Sequence, residues 1–119
     1  MIKKLFNNLI NSINGLKIVI KESSFILELV LGFFLIPYIF LSNIDFNYKI
    51  ILSVLYFLLL AFEIMNTAIE KLCDKVTTDI DPDIKKIKDL SSAAVFVVLL
   101  IFIITFLASF WVEIVTFKI

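Results

Sequence analysis

Along the first twenty positions, Ile2, Leu5, Phe6, Leu9, Ile10, Ile13 and Leu16 recur at helical spacing, while Lys3, Lys4, Asn7, Asn8, Asn11 and Lys17 take the opposite face. The pattern predicts an amphipathic helix over residues 1–21, lying in a membrane interface with its lysines toward lipid phosphates. It is no signal peptide, because the asparagines interrupt any apolar core and no small-residue cleavage site follows. The amphipathic pattern then gives way to three long apolar stretches, over about 25–44, 50–72 and 92–115. Each approaches or exceeds the roughly 20 residues a helix needs to cross a bilayer. Pro37 falls in the first, the second is uncharged only as far as Phe62, and Ser92–Val112 carries no charge at all. The expected fold is therefore an all-α membrane protein. One interfacial helix and three transmembrane helices assemble as a helical bundle, in a single domain over residues 1–119.

Charge orients this arrangement. Of the eleven basic residues, all lysine, nine lie in the N-terminal segment or around the loop between the second and third spans. By the positive-inside rule, the N-terminus and that loop face the cytoplasm. Within the loop, Asp81-Pro82 reads as a helix N-cap followed by proline at the first helical position. Asp79, Asp81 and Asp83 imitate the start of an EF-hand loop, but Ile84 and Leu90 stand where glycine and glutamate are required. Trp111, Tyr38 and Tyr48 suit anchors at the opposite membrane face.

Composition fits a membrane and narrows the chemistry. The chain is 61% hydrophobic, against roughly 45–50% in soluble domains. With no histidine there is no imidazole base and no His-ligated zinc, and the single Cys73 builds no thiolate cluster. The two glycines, far apart, make neither a P-loop nor a dinucleotide fingerprint. Zero net charge with no basic run argues against nucleic acid as a partner. Any catalysis falls to carboxylates, lysines and hydroxyls.

The second span concentrates such groups. Glu63, Asn66, Glu70 and Asp74 lie at i, i+3, i+7 and i+11, a stripe about 80° wide on a helix. A charged group in a span costs at least ~2.5 kcal/mol, so Glu63 should face protein or a wet cleft. Asp74 alone could equally be the solvated end of a helix. Glu22 and Glu28 approach the same boundary from the first span, and Lys88-Asp89 from the third. Oxygen ligands without imidazole or thiolate suit Mg²⁺. With a lysine for phosphate and a carboxylate for a hydroxyl proton, these are the parts for phosphoryl transfer at the interface. A carboxylate ion path and a small membrane scaffold are the readings of another class.

The run Glu63-Ile-Met-Asn66-Thr-Ala-Ile-Glu70, with Asp74 four residues on, resembles the signature E-x-x-N-[ST]-A-I-E-x-x-x-D of the prokaryotic integral-membrane diacylglycerol kinase and undecaprenol kinase family. Lys88-Asp-Leu-Ser-Ser-Ala-Ala-Val95 is similar to its K-D-x-[GA]-[SA]-A-A-V, and Glu22-Ser-Ser-Phe25-Ile-Leu-Glu28 to its E-x-x-F-[RK]-x-E. The resemblance implies an ATP- and Mg²⁺-dependent lipid kinase, a homotrimer with sites shared between subunits. It makes diacylglycerol the expected substrate, with undecaprenol the alternative. By position, Glu63 matches the catalytic base, with Asn66 beside it, and Glu22 and Glu70 match the metal-holding carboxylates. The nucleotide set comprises Glu22, Glu70, Asp74, Asp79, Lys88 and Asp89. Phe25, Glu28, Glu63 and Ser92 match the lipid site. Two positions depart from the pattern: Ile26 replaces a basic residue, and Asp81 stands where a histidine is usual.

Overall fold

The computed structural model describes residues 1–118 and contains four helices: α1 (Ile2–Val19), α2 (Ser23–Leu41), α3 (Phe46–Val76) and α4 (Pro82–Lys118). The last three are long and apolar enough to cross a membrane, so the expected all-helical membrane architecture is present. The apolar face of α1 is exposed, from Ile2 through Leu16, and only Val19 at its end is buried. A tight turn follows, in which the amides of Lys21 and Glu22 donate to the carbonyls of Ile18 and Val19. α2 then opens with Glu22 at its N-cap, so Glu28 lies within the first two turns.

The helices outrun the apolar stretches. α3 has 31 residues and, at about 1.5 Å each, is about 46 Å long against a hydrocarbon core of about 30 Å. The surplus turns at its C-terminal end carry Glu70 and Asp74. α4 likewise starts ten residues before Ser92, because Asp81 caps it as its sequence predicts. The Asp81 Oδ1 accepts from the amides of Asp83 (2.8 Å) and Ile84 (3.1 Å), and proline fills the first helical position. This places Lys88 and Asp89 on a rigid helix instead of a loop.

α3 is the central helix, packed extensively on α4 and less extensively on α2. Its packing face is a repeat of alternating four- and three-residue steps: Leu52, Tyr56, Leu59, Glu63, Asn66, Glu70 and Cys73. All of these but Glu70 are buried. A mean spacing of 3.5 residues keeps one face toward its neighbours along the whole helix. Far from the carboxylates, Tyr38 of α2 stacks on Phe110 of α4 (ring centroids 6.0 Å apart), and Phe106 and Phe102 continue the row. Most of the apolar surface of α2 and α4 is uncovered within one chain. In lipid this carries little penalty.

Leu52 is fully buried in this seam, whereas Leu107 of α4 is 62% exposed. Leu52→Ala is expected to destabilise the protein by about 2–5 kcal/mol, and Leu107→Ala by much less, in unfolding measured in detergent micelles.

Candidate active site

At the C-terminal half of α3 the packing seam changes from apolar to polar without changing direction. Glu63 and Asn66 are only 7% and 8% exposed, because they take the seam positions that Tyr56 and Leu59 fill two turns earlier. The carboxyl group of Glu28, on α2, lies within hydrogen-bonding reach of that of Glu63. The Glu28 Oε2 atom is buried and has no donor beside it. The hydroxyl of Thr67 donates to the Glu63 carbonyl at 3.0 Å, closing this turn of the helix.

Asn66 departs from the expected arrangement beside the base. Its Nδ2 donates to Glu70 Oε1 at 3.1 Å, one turn toward the helix end, and its Oδ1 is buried with no partner. On a helix Asn66 neighbours both Glu63 (three residues before) and Glu70 (four residues after), and its amide bonds to Glu70. Asn66 therefore orients Glu70, and its free carbonyl oxygen is an acceptor held beside an apolar groove. Ala61, Phe62, Met65, Ile69 and Ala94 line that groove between α3 and α4.

Ion pairs tie the remaining acids to lysines. Glu22 lies 3.2 Å from Lys71, the residue after Glu70, so the entrance of α2 is held beside the turn of α3 that carries Glu70. Lys88 of α4 contacts Asp74 of α3 at 2.8 Å, bringing two expected nucleotide positions together. Asp89 pairs within its own helix with Lys85, at 2.7 Å. Asp79 lies exposed in the α3–α4 loop, where its amide donates to the Thr77 hydroxyl. Of the expected lipid positions, Glu28 meets Glu63, Ser92 is exposed on α4, and Phe25 is buried in the hydrophobic core. Lys71 was not singled out by the sequence. Its adjacency to Glu70 was a signal, but its partner is 49 residues away.

Among the described residues, no three acidic, cysteine or histidine side chains form a closed metal cage. Glu22 and Glu70 are hard oxygen donors, and Glu22 already draws a cation in the Lys71 ammonium. Such a pair fits Mg²⁺, which commonly takes one or two carboxylates and completes its shell with water and phosphate oxygens.

The family model described as Prokaryotic diacylglycerol kinase matches residues 10–110, from within the amphipathic helix to Phe110 of α4. The chain belongs to this family. A diacylglycerol kinase of a Sinorhizobium species is 36% identical over 94 residues, covering 78% of this chain and 68% of the relative. The diacylglycerol kinase of Pseudomonas aeruginosa is 33% identical over 84 residues, covering 71% and 68%. The protein is therefore a kinase whose three long apolar helices fit a membrane.

The Lys88 and Asp74 side chains are 38% and 60% exposed, so their attraction is largely screened by solvent. Asp74→Asn is expected to change stability by no more than about 1 kcal/mol in micelle unfolding. A larger loss would make the pair a structural tie between α3 and α4.

Proposed function

We propose that the protein transfers the γ-phosphoryl group of MgATP to the hydroxyl of diacylglycerol, forming phosphatidic acid at the cytoplasmic face of a bacterial inner membrane. The observation that carries this reading is the polar end of the α3 seam. There Glu63, Asn66 and Glu70 follow one another on the packing face, and Glu28 meets Glu63 from α2. The names of the two relatives support diacylglycerol as the acceptor. The lysine distribution supports the cytoplasmic assignment of this end.

In its ionised form Glu63 takes the proton of the lipid hydroxyl as that oxygen bonds to the γ-phosphorus. The bond from phosphorus to the β,γ-bridging oxygen breaks, and ADP leaves. Glu28, Phe25 and Ser92 orient the lipid head, whose chains enter from the bilayer side. Glu22 and Glu70 hold the Mg²⁺, which when bound neutralises phosphate charge. Asn66 fixes the Glu70 carboxylate. Lys88 reaches the phosphates, and Asp74, Asp79 and Asp89 complete the nucleotide side. Asp74 holds the Lys88 ammonium in place until the phosphates compete for it. The working form is a homotrimer with sites shared between neighbours, for which the uncovered apolar faces of α2 and α4 offer surface.

Purified protein in mixed micelles should move label from γ-labelled MgATP into phosphatidic acid, and chelation of the divalent ion should stop the transfer. Label appearing instead in undecaprenyl phosphate, with both alcohols offered separately, would keep the site assignments and replace the substrate. No label in either lipid, from folded protein, would favour a membrane scaffold.

A further inference from the structure

Tyr56 stands on the α3 seam two turns before Glu63 and is only 7% exposed. It lies among Leu52, Leu59 and Leu60, so its hydroxyl is a polar group set into an apolar layer. Such a group needs a partner within the protein. It finds one on α2: the Tyr56 hydroxyl donates to the main-chain carbonyl oxygen of Glu28 at 2.9 Å. That carbonyl also faces the amide of residue 32 in regular helix geometry, and its second lone pair is free for the phenol.

The approach depends on the residue one turn further along α2. A Cβ atom built on Gly32 would run into the Tyr56 hydroxyl oxygen and the adjoining ring carbons Cζ and Cε2. By contrast, Gly15, the other glycine, has open space around it. Gly32 and Tyr56 are therefore a matched pair. The missing side chain makes a notch, and the ring fills it and reaches the backbone beneath.

The anchored residue is the one whose side chain meets Glu63. α2 packs on α3 less extensively than α4 does, and Pro37 lacks the amide that would bond the Phe33 carbonyl. Few ties therefore fix the depth and rotation of α2 at Glu28, and the Tyr56 hydrogen bond acts at that residue itself. We propose that Tyr56 is a positioning residue: its hydroxyl on the Glu28 carbonyl, and its ring in the Gly32 notch, set the spacing of the Glu28 and Glu63 carboxyl groups and so the placement of the lipid hydroxyl between them.

This rests on the lipid-kinase reading, and the test separates the two. Tyr56→Phe keeps the ring in its notch and removes only the hydrogen bond. In the full chain in mixed micelles, kcat/KM for the lipid should fall about 2- to 10-fold, the range one hydrogen bond supplies, while KM for MgATP stays unchanged. Gly32→Ala, which displaces the ring, should act in the same direction. In a Glu28→Gln background, Tyr56→Phe should add little further loss, because its effect passes through Glu28. A purely structural tyrosine would instead lower the folded fraction, leave the lipid kinetics of the folded fraction unchanged, and act equally in both backgrounds. Any of those results overturns the proposal. A second readout does not depend on turnover: labelling of Glu28 and Glu63 by an apolar carbodiimide, resolved by mass spectrometry. Tyr56→Phe should change the ratio of the two labels, and an unchanged ratio contradicts the proposal. If the wild-type chain transfers no phosphoryl group, the kinase reading fails, and the label ratio still decides whether Tyr56 positions the pair.

Discussion

The structure depends on the cost of placing a carboxylate in an apolar helix. Glu63 cannot face hydrocarbon without a penalty of at least ~2.5 kcal/mol, so the helix that carries it must turn that face toward protein. A helix has one such face, and in α3 it is already taken by the packing seam of Leu52, Tyr56 and Leu59. The solution is a 3.5-residue repeat that runs unbroken from leucine to glutamate. The same periodicity that packs α3 against α2 and α4 delivers Glu63 and Asn66 into the bundle and carries Glu70 to its exposed end.

Given that constraint, the rest of the fold supplies neighbours for the polar end. α2 begins where its second turn brings Glu28 to Glu63, and the tight turn after α1 sets Glu22 beside Lys71. α4 begins early, on the Asp81 cap, so that a rigid helix carries Lys88 to Asp74. At the opposite end the ring of Tyr38 on α2 stacks on Phe110 of α4, at the end of a row of aromatic rings along α4. The ion pairs at the polar end are half-exposed and contribute little to stability. Their lysines and carboxylates can therefore exchange partners at small cost.

Local signals in the sequence carried far. The amphipathic period of α1, the three apolar stretches and the Asp81-Pro82 cap are properties of neighbouring residues, and each has its counterpart in the fold. The polar stripe of α3 was legible too, because helical spacing alone puts Glu63, Asn66 and Glu70 on one face. Pairings across long stretches of chain were not legible. Tyr56 meets Glu28 and Gly32 over 28 and 24 residues, and Lys71 meets Glu22 over 49, distances at which spacing carries no information. The choice made by Asn66 was also hidden, since two carboxylates lie within one turn of it and only the rotamer decides. That Phe25 joins the buried core cluster was likewise not legible from its motif.

The central claim is that the buried carboxylate of Glu63 takes the lipid proton during phosphoryl transfer. Its most direct test is a single-turnover measurement on Glu63→Gln, reconstituted in lipid and compared with wild type in folding, oligomeric state and nucleotide binding. The account predicts an assembled protein that binds MgATP normally and has lost at least about 10²-fold in the transfer step, the lower range for removal of a general base. A variant with intact assembly and an unchanged transfer rate would contradict it.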